Sequence, residues 1–242
     1  MQTPLEQPLV VVAGACLAPW GPAADGLPGA APVELPNVPG FVTSRFSPLV
    51  AAVADACLGG PQAGSGLSAA RAERTAIVLA TVFGDTTTLD TASRRMVEGQ
   101  VHSPLLFFQS VTTSVLGHLS KRYGVTGPIS CVSACAEPAP EALRLAEVML
   151  DDDWLDQVLV IGVEIAANER VDWVRGHLGD ACPLDTPPRG DAAVALLLRR
   201  AGADDAGGPA TRADAAASVL SAYGWLAPLA ALCPQAGRQP AA

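Results

Sequence analysis

Basic character is scarce in this sequence. Asp and Glu outnumber Lys and Arg by 24 to 15, the formal charge at neutral pH is -9, and no basic run exceeds two residues. Nucleic acids and anionic membranes are bound through clustered Lys and Arg that displace counterions, so neither is expected as a partner. Long apolar runs are missing too. Nothing approaches the roughly 18 to 20 residues that cross a bilayer. The opening MQTPLEQPLVVVAGACLAPWG puts Glu6, and no positive charge, ahead of a short apolar run, which is not the pattern of a signal peptide. Cysteine is sparse as well. The six residues Cys16, Cys57, Cys131, Cys135, Cys182 and Cys233 fall far short of a disulfide scaffold, and reduced thiols in the cytoplasm are the expectation. Cys131 and Cys135 form a CxxxC pair, but no second Cys or His pair with zinc-ligand spacing follows. Neither a metal site nor a cofactor is expected.

What is present is apolar. Half of the residues are hydrophobic and only 16% are charged, the composition of a globular chain with a thin polar surface. Part of that surface is expected to meet a partner. The length fits one domain, 1–242, with enough chain to bury a sizeable core.

LVVVAGACL at 9–17 is apolar on both faces and reads as a buried strand. Proline and glycine from Pro19 to Pro48 exclude long regular elements there, so this is a covering segment. SPLVAAVADACLGG has helical spacing and a Gly pair as its stop, and a Gly/Ser linker follows to about Ser68. RTAIVLATVFGD predicts a second buried strand and TTTLDTASRRMVEGQ a helix. PLLFFQSVTTSVLGHLSKRYG has apolar residues at spacings of three and four and ends at Gly124. ISCVSA is a short strand, EPAPEALRLAEVMLDDD an amphipathic helix with prolines in its first turn, and Val158–Val163 and Ala192–Arg199 are further strands. Strands thus alternate with helices. This predicts an α/β fold with helices on both sides of a largely parallel sheet. Residues 201–214 read as a loose loop, and AAASVLSAYGWLAPLAALC as one last helix broken near Pro228 before a frayed tail.

Cys135 falls where the strand pattern stops and the helical pattern starts. A residue at such a turn stands clear of the backbone, and a helix N-terminus beneath it favours a thiolate. A nucleophile that attacks a thioester is one reading. A small Cys packing the end of a strand is the other.

The run from Ser103 to Glu164 resembles the β-ketoacyl synthase family. There a Ser-Pro (Ser103-Pro104), a GHL helix (Gly117-His118-Leu119) and a YG..GP turn (Tyr123 to Pro128) precede a nucleophile strand ending in Ala-Cys, here Ala134-Cys135. The next strand ends in a Gly-rich segment before a glutamate, matched by Ile161-Gly162-Val163-Glu164. LVVVAGACLAPWG, AIVLATVFGD and CPLDTPPRGDAAVALLLRR fit other pieces in order, so the likeness covers about 8–200. It implies a thiolase-like layered fold, shortened to mainly the nucleophile-bearing half of a two-half, five-layer structure. It further implies acyl transfer to Cys135 and condensation with a malonyl unit on an acyl carrier protein. By position, Phe108, Thr112 and Val115 would line a partner's acyl tunnel, and the strand carrying Ile129, Cys131 and Ser133 would pair across a dimer axis.

The departures bear on activity. Family enzymes use two histidines well downstream of the cysteine, whereas His177 lies before the segment that precedes both and matches neither, and His118 is upstream. Ala136 and Glu137 follow Cys135 where the family often has Ser or Thr, and a close carboxylate raises a thiol's pKa. The pattern is similar to chain-length-factor subunits and short ketosynthase-like proteins that pair with a complete ketosynthase, although chain-length factors usually lack the cysteine. One expectation is a subunit of a type II polyketide or fatty-acid system that pairs with a ketosynthase, or with itself, and shapes an acyl pocket. The overall field would repel an acidic acyl carrier protein unless a local basic pair such as Arg94 and Arg95 or Lys121 and Arg122 receives it. The alternative is a stand-alone cysteine-dependent acyltransferase or thioesterase on carrier thioesters, with His118 or His177 as its base. A structural protein with no acyl role is the third reading.

Overall fold

The computed structural model describes residues 8–20, 25–30, 33–60, 67–100, 103–166, 168–177, 186–202 and 220–234. Its centre is a five-stranded sheet, in the order β1-β5-β4-β2-β3, formed by β1 (Leu9–Leu17), β2 (Thr75–Ala80), β3 (Ile129–Val132), β4 (Gln157–Glu164) and β5 (Ala192–Arg200). β4, β2 and β3 run parallel, but β5 is antiparallel to both β4 and β1. The sheet is therefore mixed rather than largely parallel. A continuous apolar run such as AAVALLL reports burial on two faces and is silent about direction, which is why β5 looked like its neighbours.

Every residue of β2 and β4 is buried. Alternate side chains feed two separate cores. Ile77, Leu79, Leu159, Ile161 and Leu197 face α1 (Phe46–Leu58) and α5 (Ser114–Tyr123). Val78, Val158, Val160, Leu196 and Leu198 face α6 (Pro138–Met149) and the C-terminal segment. Each fully buried Val, Leu or Ile contributes about 1.5–3 kcal/mol, so this two-sided burial is the main stabilising term. α6 presents Ala139, Ala142 and Ala146, all at 0% exposure, and these small side chains let the helix lie close on the strands.

The helices start and stop where local chemistry directs. Ser68, Asp85 and Ser103 cap α2 (Ala69–Glu73), α3 (Thr86–Val97) and α4 (Pro104–Ser110) by accepting amide hydrogen bonds, while α1 and α5 end on left-handed Gly59 and Gly124. The single helical pattern over PLLFFQSVTTSVLGHLSKRYG resolves into α4 and α5, separated at Val111 to Thr113. α7 (Glu169–His177) buries Val171 but leaves Trp173 exposed and Val174 half-buried among polar residues, so no apolar stripe announces it.

The last element is a 3-10 turn (Ser221–Leu226) running into α8 (Ala227–Leu232). The break falls at Gly224, with φ 54 and ψ -132, and not at Pro228, which sits in the first turn of α8 where it costs no hydrogen bond. A Cβ at Gly224 would lie 2.3 Å from Thr186 O, so close backbone approach requires glycine there. The expected loop at 201–214 and the tail lie outside the described residues, apart from Ala201 and Gly202.

Candidate functional site

β3 is an edge strand. Among the described residues its only pairing is with β2, from Ile77 opposite Ile129 to Ala80 opposite Val132. The odd-numbered residues Ile129, Cys131, Ser133 and Cys135 are all exposed, and the even-numbered Ser130, Val132 and Ala134 are half-buried. The sequence-predicted interface residues of β3 and the candidate nucleophile therefore line up along one open edge.

The strand leads into a turn fixed from below. Thr81 N donates to Val132 O at 3.1 Å, and Ser133 Oγ donates to Val82 O at 3.2 Å. The Thr81 to Phe83 turn is in turn held by Glu164 at the end of β4. Its carboxylate accepts hydrogen bonds from Thr81 Oγ1 (3.2 Å), Val82 N (2.9 Å), Phe83 N (3.2 Å) and Trp225 Nε1 (3.0 Å). Burial pushes the Glu164 carboxyl up to about 7, against the pull of those four donors. Sequence reasoning placed Glu164 in a motif but gave it no role. The one signal was a carboxylate closing an otherwise apolar strand.

Cys135 itself is exposed and lies in a bend ahead of α6. Glu137, the residue before that helix, adopts a left-handed conformation with φ 51, and its carboxylate lies 4.0 Å from the Arg144 guanidinium. Pro138 and Pro140 occupy the first turn, and proline has no amide hydrogen. Half of the donors that a helix N-terminus normally offers an anion are thus missing here, which weakens the dipole argument for a thiolate. No hydrogen bond joins Cys135 to a histidine among the described residues. His118 stands half-buried on α5, its basicity lowered by burial first and by Arg122 second. The His177 ring stacks on Trp173, and its Nδ1 is 2.7 Å from Trp173 O, so its own helix engages it. His102 and Cys182 lie outside the described residues, and among those residues no group of His, Cys, Asp and Glu could hold a metal ion.

The predicted tunnel residues separate. Phe108 is 47% exposed on α4 and packs against Phe41, with ring centroids 5.4 Å apart. Thr112 is half-buried at the α4–α5 corner, and Val115 is fully buried in the α1–α5 core. α3 and α4 enclose a groove of about 240 Å³ lined by Ala92, Met96, Leu106 and Phe107, beside exposed Val97 and Leu105. The covering segment reaches this corner. Gln109 Oε1 accepts from Val42 N (3.0 Å), Thr43 N (3.2 Å) and Thr43 Oγ1 (2.9 Å), and Asp85 accepts from Ser44 Oγ at 2.7 Å.

Neither a protein-family model nor a curated protein matches the chain. Solved structures do. A chain of the ketosynthase (ApeO) in complex with its chain length factor (ApeC) from Xenorhabdus doucetiae is similar with a TM-score of 0.59 and 20% identity, over 81% of this chain and 80% of that one. The ishigamide ketosynthase/chain length factor follows at 0.62 and 16%, over 82% and 63%. A β-ketoacyl synthase from Burkholderia phymatum matches at 0.59 and 15%, over 81% and 59%. The chain thus spans about three fifths of the last two, while the nearly equal shares in the first pair indicate chains of similar length. With this sheet, these layers and these neighbours, the chain shares the fold of ketosynthases and chain length factors.

Proposed function

We propose that the protein is a ketosynthase-like partner subunit of a type II polyketide or fatty-acid system, pairing with a complete ketosynthase and shaping its acyl pocket. The open edge of β3 carries this reading. Unpaired strand edges template association, and here the edge strand exposes Ile129 and Cys131, while α3 and α4 expose a further apolar surface at Met96, Val97, Leu105 and Phe107. Phe108 and Thr112 stand on the same α4–α5 corner and are the residues that would border a pocket between subunits. The neighbours include ketosynthase and chain length factor complexes, one of them of similar chain length, and another ketosynthase is in complex with its acyl carrier protein. Carrier-borne acyl chains are accordingly the substrate class.

The bare setting of Cys135 speaks against a stand-alone acyltransferase, because a nucleophile needs a base within hydrogen-bond reach. Reconstitution with a ketosynthase encoded beside this chain tests the proposal. A stable heterodimer, whose product formation requires this chain but survives Cys135→Ala, is the expected result. Equal loss of product from Cys135→Ala and from omission of the subunit would sink it. A homodimer that takes up acyl groups on Cys135 without a ketosynthase would replace it with the acyltransferase reading.

A further inference from the structure

At the edge of the sheet opposite β3, two thiols meet. Cys16 on β1 and Cys233 at the end of α8 hold their Sγ atoms 3.1 Å apart, although 217 residues separate them in sequence. That separation is shorter than the roughly 3.5–4.0 Å of ordinary contact between non-bonded heavy atoms. The approach is built into the chain. A Cβ at Gly14 would lie 2.8 Å from Pro234 Cδ and 3.1 Å from Cys233 Sγ, so the absent side chain makes room for the C-terminal segment on β1. Cys16 is half-buried, whereas Cys233 is buried. Neither belongs to the site at β3.

We propose that Cys16 and Cys233 form a redox-sensitive dithiol, oxidised by peroxides to a disulfide that locks the C-terminal segment onto β1. The half-buried Cys16 is the sulfur a small peroxide reaches first. Its thiolate attacks the O–O bond, forming a sulfenic acid, and the hydroxide released takes up the thiol proton to leave as water. Cys233 sulfur then attacks the sulfenic sulfur, and its own proton leaves with the expelled hydroxide as a second water. Two thiols and one hydrogen peroxide thus give one disulfide and two waters. The Cys233 thiol is held well above its usual range, first by its hydrogen bond with Cys16 and then by burial, so it stays protonated and the first attack on peroxide falls to the more accessible Cys16. Cys57, pushed up to about 12 by burial, stays a thiol.

The lock matters because of what the segment carries. Trp225 reaches from it to Glu164, and Glu164 holds the turn below β3. Fixing the segment therefore steadies that contact from the far side of the sheet. This inference does not rest on the proposed function, since no ketosynthase partner enters it.

The test treats the reduced full-length chain with hydrogen peroxide, followed by peptide mapping without reductant and amide hydrogen exchange. The expected result is a cross-linked peptide pair containing Cys16 and Cys233, two hydrogens lighter than the separate peptides. Slower exchange over 222–233 and a melting temperature higher by roughly 5–10 °C should accompany it, given the long loop closed. Dithiothreitol should reverse all three in the wild-type chain. Cys16→Ser and Cys233→Ser should each abolish them, whereas the Cys131→Ser, Cys135→Ser double variant keeps them. Recovery of Cys16 and Cys233 as separate alkylated or over-oxidised thiols would overturn the proposal. So would a cross-link that leaves exchange over the segment unchanged.

Discussion

Trp225 donates its indole Nε1–H to Glu164 Oε2 at 3.0 Å, in a place where both residues are buried. The pair spans the sheet's C-terminal end. Glu164 closes β4, Trp225 arrives with the C-terminal segment, and the remaining donors come from the turn after β2. A carboxylate with four donors and, among the described residues, no cation beside it is tolerable only because each hydrogen bond to a charged group is worth about 1.5–3 kcal/mol. Burial nevertheless dominates, which is why the carboxyl titrates near 7 instead of 4.5.

This produces a definite pH dependence. The folded chain keeps the Glu164 proton where the unfolded chain has already lost it, so between about 4.5 and 7 the native state binds more protons. Stability from this group is fully present below 4.5 and falls as pH rises through 7. The expected loss is on the order of 3 kcal/mol. Urea midpoints at pH 5 and pH 8 measure it. Glu164→Gln should be less stable at both, because an amide nitrogen then faces donors, but its midpoint should not carry this slope. An unchanged slope would show that other groups set it.

Gly224→Ala tests the end of the chain. A Cβ there overlaps Thr186 O and sits 2.5 Å from Pro187 C, on a backbone with positive φ. Neither neighbour is a flexible side-chain tip that could swing away. A destabilisation of more than about 2 kcal/mol is expected, with faster proteolysis of the C-terminal segment. Pro228→Ala, at a first-turn position that needs no amide, should change stability far less. Equal effects would place the break at the proline after all.

Much of this architecture was legible because burial leaves a strong mark. The apolar runs of β4 and β5 gave their positions to within a residue, whereas β2 stops at Ala80, short of the expected run to the Gly84-Asp85 turn, and the helical patterns placed α1, α3 and α6 but ran three to four residues past the ends of the last two. β4 exceeds its expected span at both ends, by Gln157 and Glu164, because polar residues there are buried against partners remote in sequence. Gln157 Nε2 donates to Thr75 Oγ1 at 2.9 Å, and Glu164 meets Thr81 and Trp225. No local window contains such pairs. The same limit hid the direction of β5 and the glycine break at 224. At the site, the strand-to-helix position of Cys135 and the prolines in the first turn of the following helix were both visible, but those prolines were read only as harmless to the helix and not as a loss of amide donors facing Cys135.

Gln109 sets the covering segment in place. Its buried Oε1 gathers three donors from Val42 and Thr43. Gln109→Ala leaves both amides without that acceptor and should cost about 1–3 kcal/mol. Hydrogen exchange at Val42 and Thr43 should rise while that of β2 and β4 stays slow, since Asp85 and the sheet are untouched. Uniform acceleration across the sheet would mean that the segment is part of the cooperative core and not a strap over it.

The open edge of β3 makes the most direct prediction about function. Ile129 is 39% exposed and stands at the start of the strand, where β2 is its sole strand partner among the described residues. A lysine on an edge strand deters pairing because the partner strand would have to desolvate its charge. In the isolated chain that charge stays in water, so Ile129→Lys should shift folding stability by no more than about 0.5 kcal/mol. Association with a ketosynthase should weaken by at least about tenfold, corresponding to roughly 1.4 kcal/mol of lost binding energy. Light scattering of the purified mixture reads the second effect and urea unfolding the first. Since Val97→Lys on the end of α3 alters the apolar surface without touching the strand, comparing the two variants separates strand pairing from helix packing. An Ile129→Lys chain that still binds with wild-type affinity would remove β3 from the interface and leave the α3–α4 face as the surface to examine.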